Sequence, residues 1–425
     1  MAVNKNKSSA GNRGNKIRSD CYVELELKNS GGIKIKLQSK VDSMYGESIR
    51  DLLKDILKFF SINNASLLVE DYGGLPFTIA ARVEAAIRIV RPKTKKEYLL
   101  QFNKNSLYKT SKDRLRRSRL YLPGNEPKYF VNAGLHNPDG IILDLEDSVA
   151  PDKKHEAKFL VRNALRSMDF YSCERMVRIN QLPKGLDDLK FIVAHNVHVI
   201  LIPKCESAEQ VKEVEKEVER LRKSPSPTPS LREGALKSSP LRGEPKGDLY
   251  FMPIIESALG VINAYEIASA SKYNCALAIG LEDYTADIGT QRTDEGKESF
   301  FARSMVVNTA RAAGIQPIDT VYSDIANMEG LKESAVEAKS LGFEGKGCIH
   351  PRQIKVVHEA FAPTAEEITK AKRIVKAFED AEKKGLGVVS IGSKMIDAPV
   401  VKRAQKTIEL AILNKLITNN WKKEK

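Results

Sequence analysis

The chain has 425 residues, of which 42% are apolar, and it carries a formal charge of +14. This length predicts two or three domains, and the apolar content is sufficient for packed cores. No apolar run approaches the roughly 18 residues that span a membrane, and the first residues lack the apolar core of a signal peptide. We therefore expect a cytoplasmic protein with no membrane partner. Five cysteines without CxxC spacing predict reduced thiols in the core.

The excess positive charge lies in two tracts. Residues 1–19 contain five basic residues and no acid, and residues 91–119 contain eleven basic residues against Glu97 and Asp113. These two tracts account for the whole excess. We therefore predict a flexible basic tail at 1–19 and a basic linker at 91–117, rather than a folded basic face that binds nucleic acid.

Between these tracts, residues 20–90 predict a small α+β domain. Alternating strand-like runs (CYVELEL, GIKIKLQ and ASLLVED) surround an amphipathic helix near Glu47–Phe60. This segment has no histidine, no cysteine pair and no catalytic constellation. Its features are typical of a binding or carrier module.

From residue 118 to residue 425 the chain predicts a TIM (β/α)8 barrel. Helix-like segments separate eight short apolar runs, which cover residues 119–123, 140–145, 175–180, 197–203, 249–255, 275–280, 318–323 and 345–350. An open doubly wound sheet is the alternative, but it would need a glycine-rich phosphate turn after its first strand, where LPGNEP stands. The stretch 224–247, rich in Ser, Pro and basic residues, predicts a disordered surface insertion.

Polar residues stand at the ends of several of these predicted strands: Asp144, Arg178, Glu256 and Asp283. Barrel enzymes carry their chemistry at this end of the strands. Glu256 and Asp283 are suited to Mg²⁺, which takes one or two protein carboxylates plus waters and substrate oxygens. The alternative is a pair of helix caps. Arg178 predicts a clamp for a substrate carboxylate, or a structural ion pair with Asp144 or Glu146.

A magnesium site beside an arginine clamp suits reversible carbon–carbon cleavage of a 2-oxo or 2-hydroxy carboxylate. Arg119, at the start of the first barrel strand, is a further candidate for contact with an anionic ligand. Lys204 lacks a second cation or an apolar cage that would lower its pKa, so a Schiff-base mechanism is not favoured. A metal-dependent retro-Claisen or retro-aldol step is preferred.

Residues 114–413 resemble the citrate lyase β-subunit family within the HpcH/HpaI aldolase-like barrels. The resemblance rests on RSRLYLPGNEPKYF, DGIILDLEDSVAP, VRINQL, LIPKCES, PIIESALGVINAYEIA, GLEDYTADIG, GKGCIHPRQI and GSKMIDAPVVKRA. It implies that Glu256 and Asp283 bind Mg²⁺, and that Arg178, Arg119 and Glu256 contact the substrate.

The same resemblance assigns a role to the C-terminal segment. It implies a lid around residues 390–413 that closes over the site of a neighbouring subunit in a homo-oligomer. Asp397, in GSKMIDAP, matches the acid/base aspartate of the related lyases. From the sequence alone, Asp397 would be a helix N-cap before Pro399.

Residues 20–90 resemble the citrate lyase γ subunit, an acyl carrier protein. The resemblance rests on SDCYVELEL, VDSMYGESIRDLLKDIL, VEDYGG and ARVEAAI. That family attaches a phosphoribosyl-dephospho-CoA group to a serine two residues before the aspartate matched by Asp20. Arg18 occupies that position, with Ser19 one place later. Either the prosthetic group moves to Ser19 or this carrier is unloaded.

Three classes of function follow. The resemblance implies a lyase that cleaves a citryl thioester to oxaloacetate and an acetyl thioester, working with a separate citrate lyase α subunit. The alternative is a lyase that acts on a free acyl-CoA such as citramalyl-CoA or malyl-CoA, with the carrier-like domain as a docking module; Arg18 favours it. A noncatalytic scaffold is disfavoured because the metal and clamp residues are all present.

Overall fold

The computed structural model describes residues 6–223, 248–383, 389–391 and 394–422. The insertion predicted at 224–247 lies outside the described residues, so that expectation stays a prediction. Within the described ranges, no helix has both the length and the apolar character that a membrane crossing requires.

The N-terminal domain is a four-stranded sheet with two helices, which confirms the predicted α+β domain. The sheet order is β1-β2-β4-β3, and β3 and β4 form its parallel pair. The elements are β1 (Lys7–Gly11), β2 (Cys21–Leu27), β3 (Ile33–Ser39), α1 (Asp42–Phe59), β4 (Ala65–Asp71) and α2 (Pro76–Val90).

Strand β1 lies inside the segment predicted as a flexible tail, and that prediction is wrong for these residues. The small side chains of Ser8 and Ala10 are buried, and Ser8 Oγ donates a hydrogen bond of 2.7 Å to the Ala86 carbonyl in α2. Gly11 ends the strand at φ +91°, and a Cβ there would lie 1.9 Å from the Cys21 carbonyl oxygen. Small residues let the strand approach the helix closely, which a count of large apolar residues does not reveal.

The remainder of the chain contains a closed barrel of eight parallel strands, which confirms the predicted (β/α)8 fold. The last strand pairs with the first, at Cys348 opposite Leu120. The strands are β5 (Ser118–Pro123), β6 (Gly140–Asp144), β7 (Glu174–Arg178), β8 (Val199–Ile202), β9 (Tyr250–Ile255), β10 (Ala276–Ile279), β11 (Gln316–Val321) and β12 (Gly345–Cys348).

Helices surround the barrel, and a helical pair follows it. The surrounding helices are α3 (Lys154–Ser167), α4 (Gly185–Leu189), α5 (Ala208–Lys223), α6 (Ala258–Ile262), α7 (Ala264–Ser269), α8 (Leu281–Asp287), α9 (Phe300–Ala312), α10 (Met328–Leu341) and α11 (Arg352–Phe361). The C-terminal elements are α12 (Ala365–Glu382), β13 (Val389–Ile391), β14 (Lys394–Ile396) and α13 (Ala398–Leu413).

Alternate residues of the barrel strands fill two cores. One set, which includes Ile142, Met176 and Met252, packs in the barrel interior, and the other packs against the surrounding helices. All five cysteines are buried and free, which confirms their predicted core position.

The last residues of the segment predicted as a solvated basic linker instead pack against the end of the barrel where the strands begin, which we call the floor. Arg116 is fully buried, and its guanidinium donates to Glu174 Oε2 at 2.7 Å and to Gln316 Oε1 at 2.7 Å. Glu174 begins β7 and Gln316 begins β11. A buried carboxylate requires a paired cation, so this part of the positive charge is structural.

The N-terminal domain and the barrel share one continuous hydrophobic core. Helix α2 is buried along residues 77–87, because it packs on its own sheet and on α3 of the barrel. Glu84 of α2 and Arg162 of α3 form a fully buried ion pair of 2.7 Å. The two domains are therefore packed as one body rather than tethered.

Candidate active site at the barrel mouth

The strand register gathers the predicted residues at one end of the barrel. Asp144 ends β6 and lies opposite Arg178, which ends β7. Glu256 directly follows β9, and Asp283 lies in the first turn of α8, which follows β10. All four stand at the carboxyl ends of their strands, and we call this end the mouth.

Arg178 is held mainly by carboxylates. Its Nε and Nη2 donate to the two oxygens of Asp144, each at 2.7 Å, and its Nη1 lies 2.8 Å from Glu146 Oε2. The guanidinium also lies 5.3 Å from the centre of the Tyr121 ring. Burial opposes the charged form of Asp144, but the hydrogen bonds from Arg178 outweigh it and lower the pKa of Asp144. The predicted structural pairing is therefore present.

Glu256 is buried, with 6% of its surface exposed, between Lys204 and Gly280. Its Oε2 accepts a hydrogen bond of 2.8 Å from the Lys204 backbone N–H. A Cβ at Gly280 would lie 2.4 Å from Glu256 Oε1, so only glycine leaves room for this carboxylate. Burial raises the pKa of Glu256 to about 7.

Lys204 connects the two predicted metal ligands. Its backbone binds Glu256, and its Nζ lies 3.3 Å from Asp283 Oδ1 and 3.9 Å from Glu146 Oε1. Burial tends to lower the pKa of Lys204, but Asp147, Asp283 and Glu146 outweigh it and the pKa is raised. A charged lysine among carboxylates is unsuited to a Schiff base, in line with the sequence expectation.

Carboxyl groups outnumber the cations at the mouth. Burial is the main reason that the pKa of Glu146 is raised above its ordinary value, to about 8. Among the described residues, two cations, Arg178 and Lys204, interact with a larger number of carboxyl groups, which are Asp144, Glu146, Asp147, Glu256 and Asp283. Carboxylates that lack a compensating cation are a natural place for a hard divalent ion.

The carboxylate oxygens of Glu256 and Asp283 are donors of the kind that Mg²⁺ accepts. The described residues contain no cluster of three or more His, Cys, Asp or Glu side chains arranged to hold a metal. Glu256 contacts the backbone N–H of Lys204 and Asp283 lies near its Nζ, and Mg²⁺ commonly keeps water or substrate in the positions that protein carboxylates do not fill.

Glu256 does not have the helix-capping role that the sequence left open. Ser257, the next residue, caps α6 by accepting a hydrogen bond of 3.1 Å from Gly260 N–H. Asp287, at the end of α8, accepts from Ala258 N–H at 2.8 Å and so supports α6 from a neighbouring element. Glu256 is left free of a capping role.

Arg119 does not lie at the mouth. It is buried in the barrel interior two residues below Tyr121 on β5, where its Nη2 donates to the Asp319 carbonyl at 3.2 Å. Its Nη1 lies 3.1 Å from Met252 Sδ, and burial lowers its pKa. This placement disfavours the predicted contact with substrate, because a residue at the start of a strand faces the floor rather than the open end.

Asp397 caps α13, as its sequence position before Pro399 suggested. Its Oδ1 accepts a hydrogen bond of 3.2 Å from Val400 N–H. Among the described residues, the hydrogen bonds and ion pairs of Asp397 do not reach Arg178, Glu256 or Asp283. Helix α13 packs on α12 through a small core of its own. The role of Asp397 in a neighbouring subunit stays a prediction.

Ser19 is half-buried and lies two residues before β2, a central strand of the N-terminal sheet. Its backbone adopts φ +55°, and its N–H donates to the Tyr72 carbonyl at 3.1 Å. Arg18, which occupies the position expected for a modified serine, is exposed. Attachment of a prosthetic group at Ser19 stays a prediction.

Two residues of the site were missed as site residues. Lys204 was considered only as a Schiff-base candidate. It follows a predicted strand in LIPKCES, and a polar residue at the end of a strand was the feature that identified Glu256 as a site residue. Gly280 gave no usable signal, because its importance depends on a carboxylate from the neighbouring strand.

Comparison with protein families identifies both domains. Residues 117–351 match the model described as HpcH/HpaI aldolase/citrate lyase. Residues 9–90 match an ACP model described as malonate decarboxylase delta subunit.

Individual relatives agree with this assignment. The citrate lyase subunit beta of Leuconostoc mesenteroides is 41% identical, over 72% of this chain and 96% of the relative. The human mitochondrial citramalyl-CoA lyase is 32% identical, over 70% and 85% respectively. A crystal structure of CitE from Mycobacterium tuberculosis with magnesium, acetoacetate and coenzyme A aligns at a TM-score of 0.55 and 28% identity, covering 71% of this chain and 99% of that one. The chain belongs to the HpcH/HpaI aldolase/citrate lyase family and carries an additional N-terminal domain of the ACP type.

Proposed function

We propose that this chain is a carbon–carbon lyase of the citrate lyase β type, which cleaves a citryl thioester to oxaloacetate and an acetyl thioester. The observation that carries the proposal is that Glu256 and Asp283 both contact Lys204 at the mouth, and that Glu146 contacts both Lys204 and Arg178. The similarity to citrate lyase β subunits over nearly their full length supports the choice of substrate.

Glu256 and Asp283 are the residues that would hold Mg²⁺. The CitE structure that aligns with this chain contains magnesium, which supports this ion as the cofactor. When bound, Mg²⁺ would supply a Lewis acid that stabilises negative charge developing on a substrate oxygen.

The remaining residues of the mouth bind and orient the substrate. Arg178 offers positive charge to a substrate carboxylate, and Asp144 fixes the plane of its guanidinium through two hydrogen bonds. Lys204 holds Glu256 through its backbone and adds a second positive charge beside Asp283. A dicarboxylate product such as oxaloacetate is matched by these two cations.

The reaction balances without an external oxidant or reductant. The bond between the hydroxyl-bearing carbon and the adjacent methylene of the thioester arm breaks. The hydroxyl carbon becomes the ketone of oxaloacetate, the bonding electrons pass to the thioester fragment, and one proton is lost from the hydroxyl while one is gained at the new methyl carbon. An acid/base group is therefore required, and the family resemblance assigns it to Asp397 of a neighbouring chain.

This assignment makes a homo-oligomer part of the proposal. The described hydrogen bond of Asp397 lies within α13, and we propose that a second chain brings this carboxylate to the mouth. We also propose that a citrate lyase α subunit supplies the acyl group, and that the N-terminal domain carries it if Ser19 bears the phosphoribosyl-dephospho-CoA group.

The second candidate is a lyase for a free acyl-CoA of the citramalyl-CoA or malyl-CoA type. Two observations favour it: Arg18 stands where the carrier family has its serine, and the human citramalyl-CoA lyase is 32% identical. In this case the N-terminal domain would be a packed accessory domain without a prosthetic group.

A substrate panel separates the two candidates. The full-length protein would be assayed with Mg²⁺ and with citryl-CoA, citramalyl-CoA or malyl-CoA, with Glu256→Gln as the inactive control. Oxaloacetate released from citryl-CoA supports the first candidate, whereas turnover of citramalyl-CoA or malyl-CoA alone supports the second. No cleavage of any of them by wild-type protein would contradict both. Intact-mass analysis of protein from its native host would show whether Ser19 is modified.

A further inference from the structure

The segment Gly11–Asp20 runs beside the mouth of the barrel in its own chain. At its start, Gly11 N–H donates to Glu156 Oε2 at 2.5 Å, and Lys153 Nζ donates to the Gly11 carbonyl at 3.0 Å. Lys153 is the N-cap residue of α3 and Glu156 lies in its first turn; this helix follows the loop after β6. The segment is therefore attached where the barrel chain leaves the mouth.

The same turn of α3 also holds the loop that contacts Arg178. Lys154 Nζ donates to the carbonyl of Leu145 at 3.2 Å and to that of Glu146 at 3.0 Å. Lys153 thus binds the N-terminal segment, and its neighbour Lys154 binds the loop that contacts Arg178. A single helical turn joins the two.

The other end of the segment is attached through Arg82 of α2. Its Nε and Nη2 donate to the two oxygens of the buried Asp20 at 3.0 and 2.9 Å. Its Nη2 also donates to the Asn125 carbonyl at 2.8 Å, and its Nη1 lies 3.5 Å from Glu156. Asn125 lies two residues beyond β5, at the mouth. Arg82 is fully buried and joins the segment to two parts of the barrel rim.

Between these ends, the backbone around Ser19 is fixed to the N-terminal sheet. Ser19 N–H donates to the Tyr72 carbonyl at 3.1 Å, and Tyr72 N–H donates to the Asp20 carbonyl at 2.9 Å. Such bonds hold a segment in place when both ends are also anchored.

We infer that the segment Gly11–Asp20 is a fixed part of the wall around the mouth, and that Arg82 is the positioning residue that holds it there. This placement does not depend on the reaction. The placement of the segment also bears on how the acyl group reaches the barrel, and this part rests on the proposed function. A thioester arm on the Ser19 hydroxyl would begin at the rim of the barrel in the same chain. The barrel of that chain would then be its acceptor, with no need for the domain to swing.

A distance measurement tests the placement without using activity. All five native cysteines are buried, so nitroxide labels can be placed at Lys16→Cys on the segment and at Lys355→Cys on α11. Double electron–electron resonance on full-length protein, diluted with unlabelled chain, gives the distribution of distances within one chain. A reference pair within the barrel, Lys212→Cys with Lys355→Cys, gives the width expected for a rigid body.

We expect the segment distribution to be as narrow as the reference. A distribution about twofold broader, typical of a domain that moves against the barrel, would overturn the inference. Catalytic failure of the protein would leave this result unchanged, so the placement and the proposed function fail separately.

Variants then test the role of Arg82. Arg82→Gln should broaden the distribution, Arg82→Lys should restore part of the narrow component, and Arg50→Gln should leave it unchanged because Arg50 pairs with Asp42 on the exposed face of α1. If Arg82→Gln does not fold, Lys153→Ala removes a partly exposed anchor, and the buried Glu156 then keeps Arg82 as its cation at 3.5 Å. An unchanged distribution in both Arg82→Lys and Lys153→Ala, or in a folded Arg82→Gln, would show that Arg82 does not position the segment.

Discussion

The mouth of the barrel and the junction between the two domains are both rich in charge, but their charges are arranged differently. At the junction, each buried carboxylate meets a cation: Asp20 meets Arg82, Glu156 meets Arg82 and Lys153, and Glu84 meets Arg162. At the mouth, carboxylates outnumber the cations that contact them, and burial raises the pKa of Glu256 to about 7.

This difference separates a structural role from a functional one. Balanced buried pairs fix the position of two surfaces, because removing either partner leaves an uncompensated charge. A group of carboxylates without enough cations is costly unless a ligand completes it. The junction is therefore complete in itself, whereas the mouth requires an added cation.

The largest expected effect is at the mouth. Glu256→Gln or Asp283→Asn should lower kcat/KM by about 10³-fold, because removing a metal ligand forfeits several kcal/mol of transition-state stabilisation. The melting temperature in metal-free buffer should not fall, since the amide carries no charge to bury. The matched control is Glu329→Gln, an acid of α10 with 75% side-chain exposure, which should retain full activity. Activity of Glu256→Gln close to that of wild type would contradict the assignment.

Removal of the cation should have a comparable effect on wild-type protein. EDTA should abolish activity, and added Mg²⁺ should restore it. Mg²⁺ should also raise the melting temperature of the wild-type protein, because it binds the folded state. At 100 times its Kd, this binding adds about 2.7 kcal/mol to the free energy of unfolding. Asp283→Asn should show no such increase. Full turnover in EDTA is the result that rules out a metal-dependent step.

A smaller effect on activity, but a large one on stability, is expected at the junction. Glu84→Gln should lower the free energy of unfolding by about 3–5 kcal/mol, because Arg162 then loses its buried partner. Chemical denaturation measures this value, and the folded fraction should keep its activity. A change below about 1 kcal/mol would mean that the two domains do not depend on the pair.

The smallest effect is expected for an exposed pair on the N-terminal domain. Arg50→Gln removes the ion pair with Asp42, in which both side chains are over 40% exposed. The free energy of unfolding should change by less than about 1 kcal/mol, because water screens such pairs. A loss as large as that of Glu84→Gln would remove the contrast between buried and exposed pairs.

Much of this architecture was predictable from the sequence. The eight short apolar runs predicted the barrel strands, because buried parallel strands are apolar along their length, and the polar residues at the ends of several runs predicted the mouth. The same rule placed Asp144, Arg178, Glu256 and Asp283 at one end of the barrel.

Other features depend on contacts between distant parts of the chain. The basic residues near 116 were predicted as solvated, because the partner Glu174 lies 58 residues away. Strand β1 was missed because Ser8 and Ala10 are small, and their burial depends on close approach to α2. Arg119 was predicted as a ligand contact from its charge, but its position at the start of a strand places it deep in the barrel.

The most direct measurement is a Mn²⁺ titration of the metal-free, full-length protein, followed by the electron paramagnetic resonance signal of free Mn²⁺. Mn²⁺ accepts the same oxygen donors as Mg²⁺ and is visible to the method. A cation site formed by Glu256 and Asp283 predicts one Mn²⁺ bound per wild-type chain, displaced by Mg²⁺, and markedly weaker binding in both Glu256→Gln and Asp283→Asn, with Glu329→Gln as the control. Equal binding by the wild-type protein and both site variants, or no binding by wild-type protein, would contradict a cation site at the mouth.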